Sequence, residues 1–195
     1  RYKRWSSPKF IAGESYGTTR AAGLSGYLQE RYGLYVNGII LISAILDFGT
    51  VRTDRGNDVP FPFGLPTFAA TSWYHKKLDP RYSSLSSLLQ EVQQFATTDY
   101  ASALMKGDKI SDAERNTVIN KLHDYTGLSK DYIDQTNLRL YVGQYNKELL
   151  RKEGKTVGRL DARITGQDYN NAGATYDYAP SNDIAIYSAY SAAIN

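Results

Sequence analysis

An α/β fold, with a strand-turn-helix-strand unit in front of a mostly helical region, is predicted by three features of this sequence. A short apolar run, Phe10-Ile11-Ala12, stops at the GxSxG box Gly13-Glu14-Ser15-Tyr16-Gly17. Behind the box, Ala21, Leu24 and Leu28 recur at helical spacing up to a stop at Tyr32-Gly33, and a second buried-strand run follows from Ile39 to Ile42. This βαβ order is the context in which a GxSxG box forms a nucleophile elbow, a sharp turn whose strained backbone pushes the serine hydroxyl out of the sheet edge. Side chains at Gly13 and Gly17 would be expected to collide with the neighbouring strand and helix. The competing reading of Ser15 is a plain serine capping the helix that follows.

From Gly49 to Gly64 the composition turns to charges, Gly56, Asn57 and the run Pro60-Phe61-Pro62-Phe63, which reads as a connection. About ninety helical residues are expected beyond it. Leu85, Leu88, Leu89, Val92, Phe95, Ala96, Tyr100 and Ala103 share one helix face, and Ser111-Asp112-Ala113-Glu114 has the form of a capping box opening a helix that stops at Gly127. Ser129 is expected to cap a short helix. Leu138, Tyr141, Val142, Tyr145 and Leu149 form a further stripe, with Lys147, Arg151 and Lys152 toward the end that the helix dipole makes favourable for cations. Residues 156–165 alternate apolar and charged side chains, as in a half-exposed strand; 166–183 read as loop and Ile184 to Ile194 as a last helix. The resulting division is a core segment, 1–60, and a mostly helical segment, 61–195.

The 195 residues, 42% hydrophobic and 22% charged, are globular in composition, and no apolar run is long enough for a membrane span. The net charge of +3 is scattered, without the basic stripe that would make nucleic acid an expected partner. With no cysteine the chain has no disulfide, thiolate nucleophile or Cys-based zinc site. No metal or cofactor is expected. Arg1-Tyr2-Lys3-Arg4-Trp5 lacks an initiating methionine and reads as the tail of a helix, so an internal fragment of a larger protein is expected. Seventeen tyrosines, many near the segment Asp168 to Tyr178, could line a groove, but packing at the rim of a core is the plainer expectation.

A serine hydroxyl becomes nucleophilic when a histidine, held by a carboxylate, takes its proton. The two histidines, His75 and His123, both fall in the helical region, whereas such a base usually sits on a loop at the sheet edge; structural roles are expected for both. The backbone N–H of Tyr16 would supply half of an oxyanion hole, its partner coming from an upstream glycine-rich loop that this chain lacks.

Gly13-Glu14-Ser15-Tyr16-Gly17, preceded by Ser7-Pro8-Lys9-Phe10 and followed by Thr18-Thr19-Arg20-Ala21, resembles the nucleophile region of serine carboxypeptidases (peptidase family S10) of the bacterial branch. The resemblance extends through Leu65-Pro66-Thr67, Ala69-Ala70, Trp73 to Leu78, Tyr125 to Leu128 and Val157 to Arg163. It implies an α/β-hydrolase fold, here partial, with a helical cap insertion, and hydrolysis of C-terminal peptide bonds through an acyl-enzyme. Carried onto matching positions, it makes Ser15 the nucleophile, Tyr16 an oxyanion donor and Glu14 a binder of the substrate's free carboxylate. Two carboxyl groups can bind only by sharing a proton, so a preference for acid is implied; without the resemblance Glu14 would read as a solvated carboxylate at a helix start. The family's aspartate and histidine follow the cap, and no matching motif occurs here, so this chain alone is expected to be inactive. A secreted or periplasmic location follows from the resemblance only. Alternatives are an esterase or acyltransferase on the same scaffold, or a non-catalytic binding module.

Overall fold

Residues 4–176 and 191–193 are described by a computed structural model, whose contacts divide the chain into units Arg1–Phe48 and Gly49–Asn195. In the first unit, strand β1 (Phe10–Glu14), helix α1 (Tyr16–Tyr32) and strand β2 (Gly38–Ile42) follow one another as expected. The strands are parallel, with Phe10 opposite Gly38 and Glu14 opposite Ile42; a parallel pair needs a crossover, and α1 is that crossover. Helix α1 ends at Gly33, whose φ of 61° is left-handed and lets its N–H return to Gln29 O. Thr18 and Ala21 are its buried residues.

Strands in parallel sheets are ordinarily covered on both faces. Here Ile39, Ile40, Leu41 and Ile42 are each 41–52% exposed, so β2 presents apolar side chains to solvent on both faces.

The second unit begins its helices earlier than the composition suggests. Helix α2 runs Pro60–Tyr74, so Pro60-Phe61-Pro62-Phe63 belongs to a helix and not to a connection. The physical reason is positional: Pro60 and Pro62 lie in the first turn, where their missing N–H groups would have no intrahelical partner. Phe61, Leu65, Phe68 and Ala69 on α2 are buried and found the core. Residues 49–59 are fastened to this unit by Arg139, whose guanidinium grips Asp58 through two 2.7 Å bonds.

The next stripe forms helix α3 (Leu85–Phe95), a π-helical turn (Ala96–Tyr100) and helix α4 (Ala101–Lys106). In a π turn residues five apart lie above one another, and Phe95 and Tyr100 accordingly stack at 5.9 Å with rings 2° from parallel. Helix α5 (Asp112–Thr126) begins at Ser111, whose Oγ accepts the Glu114 N–H at 3.3 Å. The reciprocal half of the expected capping box is replaced: Glu114 takes the Lys106 ammonium at 2.5 Å. Gly127 stops α5 as expected, at φ 68°, and a Cβ there would lie 2.7 Å from Lys77 O. Ser129 caps helix α6 (Lys130–Gln135), and helix α7 (Val142–Glu148) follows.

Among the described residues three tyrosines lie inside the core: Tyr100, Tyr125 and Tyr145. Tyr145 stacks on Phe68 at 4.2 Å. Its Oη lies 2.8 Å from Phe68 O and 2.6 Å from Ser72 Oγ, which lies 2.7 Å from Thr126 O, so two hydroxyl protons serve three contacts. Burial raises the Tyr145 phenol well above its ordinary pKa. By contrast Tyr169, in the loop expected to pack at a rim, is exposed.

The alternation over 156–165 is a hairpin and not one strand. Strand β3 (Thr156–Val157) pairs antiparallel with strand β4 (Thr165–Gly166). Between them Asp161 Oδ1 accepts the Arg163 N–H at 3.0 Å, a turn that breaks the run. The same arginine holds the Asp161 carboxyl down at about 2. The helix expected over Ile184 to Ile194 lies, apart from helical residues 191–193, outside the described residues.

Candidate functional site

The turn joining β1 to α1 is built by what its backbone must do. Ser15 sits at φ 51° and ψ −120°, outside the wells that an L residue occupies freely, at a cost of about 1–3 kcal/mol. The strand pairing supports it: the Ser15 N–H donates to Ile42 O at 3.0 Å. On its other side, the Ser15 carbonyl accepts the Thr18 N–H at 3.0 Å and the Thr18 hydroxyl at 2.7 Å. The Ser15 side chain makes no capping bond. An ordinary N-cap serine has extended backbone angles and spends its oxygen on the helix; this one does neither.

Gly13 is required by close approach. A Cβ there would lie 2.8 Å from Thr18 N and closer still to the Gly17 carbonyl, all backbone atoms that cannot step aside. Gly17 differs from expectation: a Cβ on it would meet nothing within 4 Å. Only the first glycine of the box is enforced by a collision, because a Cβ at position 13 would point into the Gly17–Thr18 peptide link while one at position 17 would meet nothing.

At the head of α1 the N–H groups of Tyr16 and Gly17 have no carbonyl one turn back to bond. Together with the helix dipole they form an electropositive end beside the serine. Tyr16 and Glu14 are exposed on either side of Ser15. A groove of about 670 Å³ runs along this flank, lined by Ile11, Tyr16, Gly17, Arg20, Leu24 and Tyr27. Among the described residues Arg20 has no ion-pair partner. At the same edge, Ser43 directly after β2 also has a positive φ, 53°, a feature that no motif in the sequence flagged.

Neither histidine is brought to the serine by an element of the first unit. His75, at the end of α2, has Nε2 2.7 Å from Ala162 O, and His123 on α5 has Nδ1 2.6 Å from Leu128 O. A carbonyl can only accept, so each ring nitrogen donates, which fixes the tautomer and ties each ring to the second unit.

One feature of the second unit escaped the sequence. Lys147, expected toward a helix C-terminus that favours cations, is buried with its side chain 1% exposed, and its ammonium pairs at 2.6 Å with Asp168, itself 2% exposed. It also donates to Asn170 O at 2.5 Å. Arg151, in the short 3-10 turn that follows α7, donates to Asn171 O and, at 2.8 Å, to Gly173 O, so the segment after β4 is held by α7 and by the turn after it.

Among the described residues no group of three His, Asp or Glu side chains could hold a metal ion, and no helix is long and apolar enough to cross a membrane. No family model, no curated protein and no solved structure matches this chain, so any assignment rests on the geometry of the Ser15 turn and the residues around it.

Proposed function

We propose that Ser15 is the nucleophile of a serine carboxypeptidase with an α/β-hydrolase core. The observation that carries this reading is the serine itself: held at φ 51° between a parallel strand and a helix, with its hydroxyl unspent on the cap. A structural cap has no use for this strain, whereas an exposed attacking hydroxyl does.

In this reading Ser15 Oγ attacks the carbonyl carbon of the last peptide bond as a base takes its proton. Negative charge develops on the carbonyl oxygen and is met by the Tyr16 N–H at the positive end of α1. The protonated base then gives its proton to the departing amine, the terminal residue leaves, and water hydrolyses the ester on Ser15 by the reverse sequence. Glu14 binds the substrate carboxylate through a shared proton. His75 and His123 are each tied by one ring nitrogen to a backbone carbonyl of the second unit; we assign neither as the base, and we expect these 195 residues alone to turn over negligibly.

Substrate choice tests the reading against an esterase on the same scaffold. On the longest natural form of the polypeptide that carries these residues, kcat/KM should be higher for a blocked dipeptide with a free carboxylate than for its amide. Glu14→Gln should lower the peptide value about tenfold, the loss of one charge-assisted hydrogen bond, and leave esters without a carboxylate unchanged. Preference for such esters, with indifference to Glu14→Gln, would favour the esterase.

A further inference from the structure

Helix α2 ends in an unusual way. The Lys77 N–H returns to Ser72 O at 2.9 Å and the Lys76 N–H to Trp73 O at 3.1 Å, the bonding pattern of a Schellman stop. That motif places its penultimate residue in the left-handed region, where glycine is at no disadvantage, but here the position is Lys76, with φ 56°. A lysine held where its backbone is strained invites the question of what its side chain does.

Beyond this stop the chain folds back over the helix end. Trp73 Nε1 donates to Tyr82 O at 2.8 Å, fixing the indole beneath the returning loop. The half-open pocket so formed, about 430 Å³, is lined by Trp73, Tyr74, Leu78 and Tyr82, with Lys76 and Asp79 as its charged residues. These two charges are not equivalent. Asp79 Oδ1 already accepts the Arg81 N–H at 2.8 Å, while among the described residues the Lys76 ammonium has no partner. Other nearby cations are spent as well: Arg81 on Asp124 at 2.6 Å and Lys77 on Glu153.

We propose that this cavity is a binding site for a small aromatic carboxylate, its ring against Trp73 and Tyr82 and its carboxylate on Lys76 Nζ. The volume suits one ring with a short acid chain, the aromatic walls supply stacking surface, and, although Asp79 keeps its negative charge, its Oδ1 is held by the loop backbone while the Lys76 ammonium is the charged group of the lining without a partner among the described residues. This site stands independently of the role of Ser15.

The chain has two tryptophans, Trp5 and Trp73; Trp5→Phe leaves Trp73 as sole reporter inside the proposed site. Titration of that variant with 3-phenylpropanoate should change the Trp73 fluorescence saturably, with a Kd of about 1 mM for a ligand of this size. Propanoate, lacking the ring, and 3-phenylpropanamide, lacking the charge, should each bind about fivefold or more weakly. Lys76→Gln should weaken 3-phenylpropanoate by a similar factor. Lys76→Gly keeps the test sound if a change at the stop disturbs folding: it removes the ammonium and relieves the strained φ, so it should raise the thermal midpoint while losing the ligand. Absence of a saturable change with 3-phenylpropanoate, or equal binding in the two Lys76 variants and their parent, would overturn the proposal.

Discussion

Gly13→Ala should unfold the strand-turn-helix unit while leaving the helical unit intact. The added Cβ meets backbone atoms of Gly17 and Thr18 inside 3 Å, and backbone on a paired strand and a helix start cannot yield as the end of a flexible side chain does. Overpacking of this kind costs about 3 kcal/mol or more, comparable with what a unit of 48 residues can hold in reserve. Gly17→Ala is the matched control, since its Cβ meets nothing within 4 Å. Amide hydrogen exchange reads both: protection of Ile39 to Ile42 should vanish in Gly13→Ala and persist in Gly17→Ala, with the amides of α2 and α5 protected in both. The contrast separates a collision at one position from a general intolerance of change in the box.

Asp168→Ala should destabilise the helical unit by about 3–5 kcal/mol, because it leaves the Lys147 ammonium buried without its counter-charge. For a chain of this length the thermal midpoint should fall by about 10 °C. Lys147→Met should cost a similar amount for the mirrored reason. The double variant Lys147→Met with Asp168→Leu should recover much of the loss, since two apolar side chains fill the space without stranding a charge. If the two single losses simply added in the double variant, the pair would not be acting as a unit.

The sequence foretold the βαβ unit because its signals are local: an apolar run, a glycine-serine-glycine turn, a helical stripe and a second apolar run, each within a few residues. Gly33, Gly127 and Ser129 were legible for the same reason. Errors arose where a residue's role is set by a distant partner. Proline reads as a breaker until it is known to occupy a first turn, as Pro60 and Pro62 do. Residues 156–165 alternate as a strand would, but the Asp161 turn divides them into two. Glu114 serves Lys106 in place of its own cap. Lys147 looks like any cation near a helix end; its burial depends on Asp168, 21 residues on.

At the candidate site the position of Ser15 and the strain of its backbone were legible from the box; the bonds that hold it there, from the Ser15 N–H to Ile42 O and from the Thr18 N–H to Ser15 O, were not. The roles of Gly13 and Gly17 were legible as a pair only; their division needed the approach of the two backbones. Ser43 and the Lys76 stop carry no motif at all, because left-handed backbone at a serine or lysine leaves no mark in composition.

The central claim, that Ser15 is a nucleophile, is tested most directly by a fluorophosphonate probe with the adduct mapped by mass spectrometry. On the longest natural form carrying these residues, one adduct is expected, on Ser15, absent from the Ser15→Ala variant. The isolated 195 residues should label no faster than that variant. An adduct on a different serine, or none on the natural form, would contradict the claim and leave the strained turn as part of a binding scaffold.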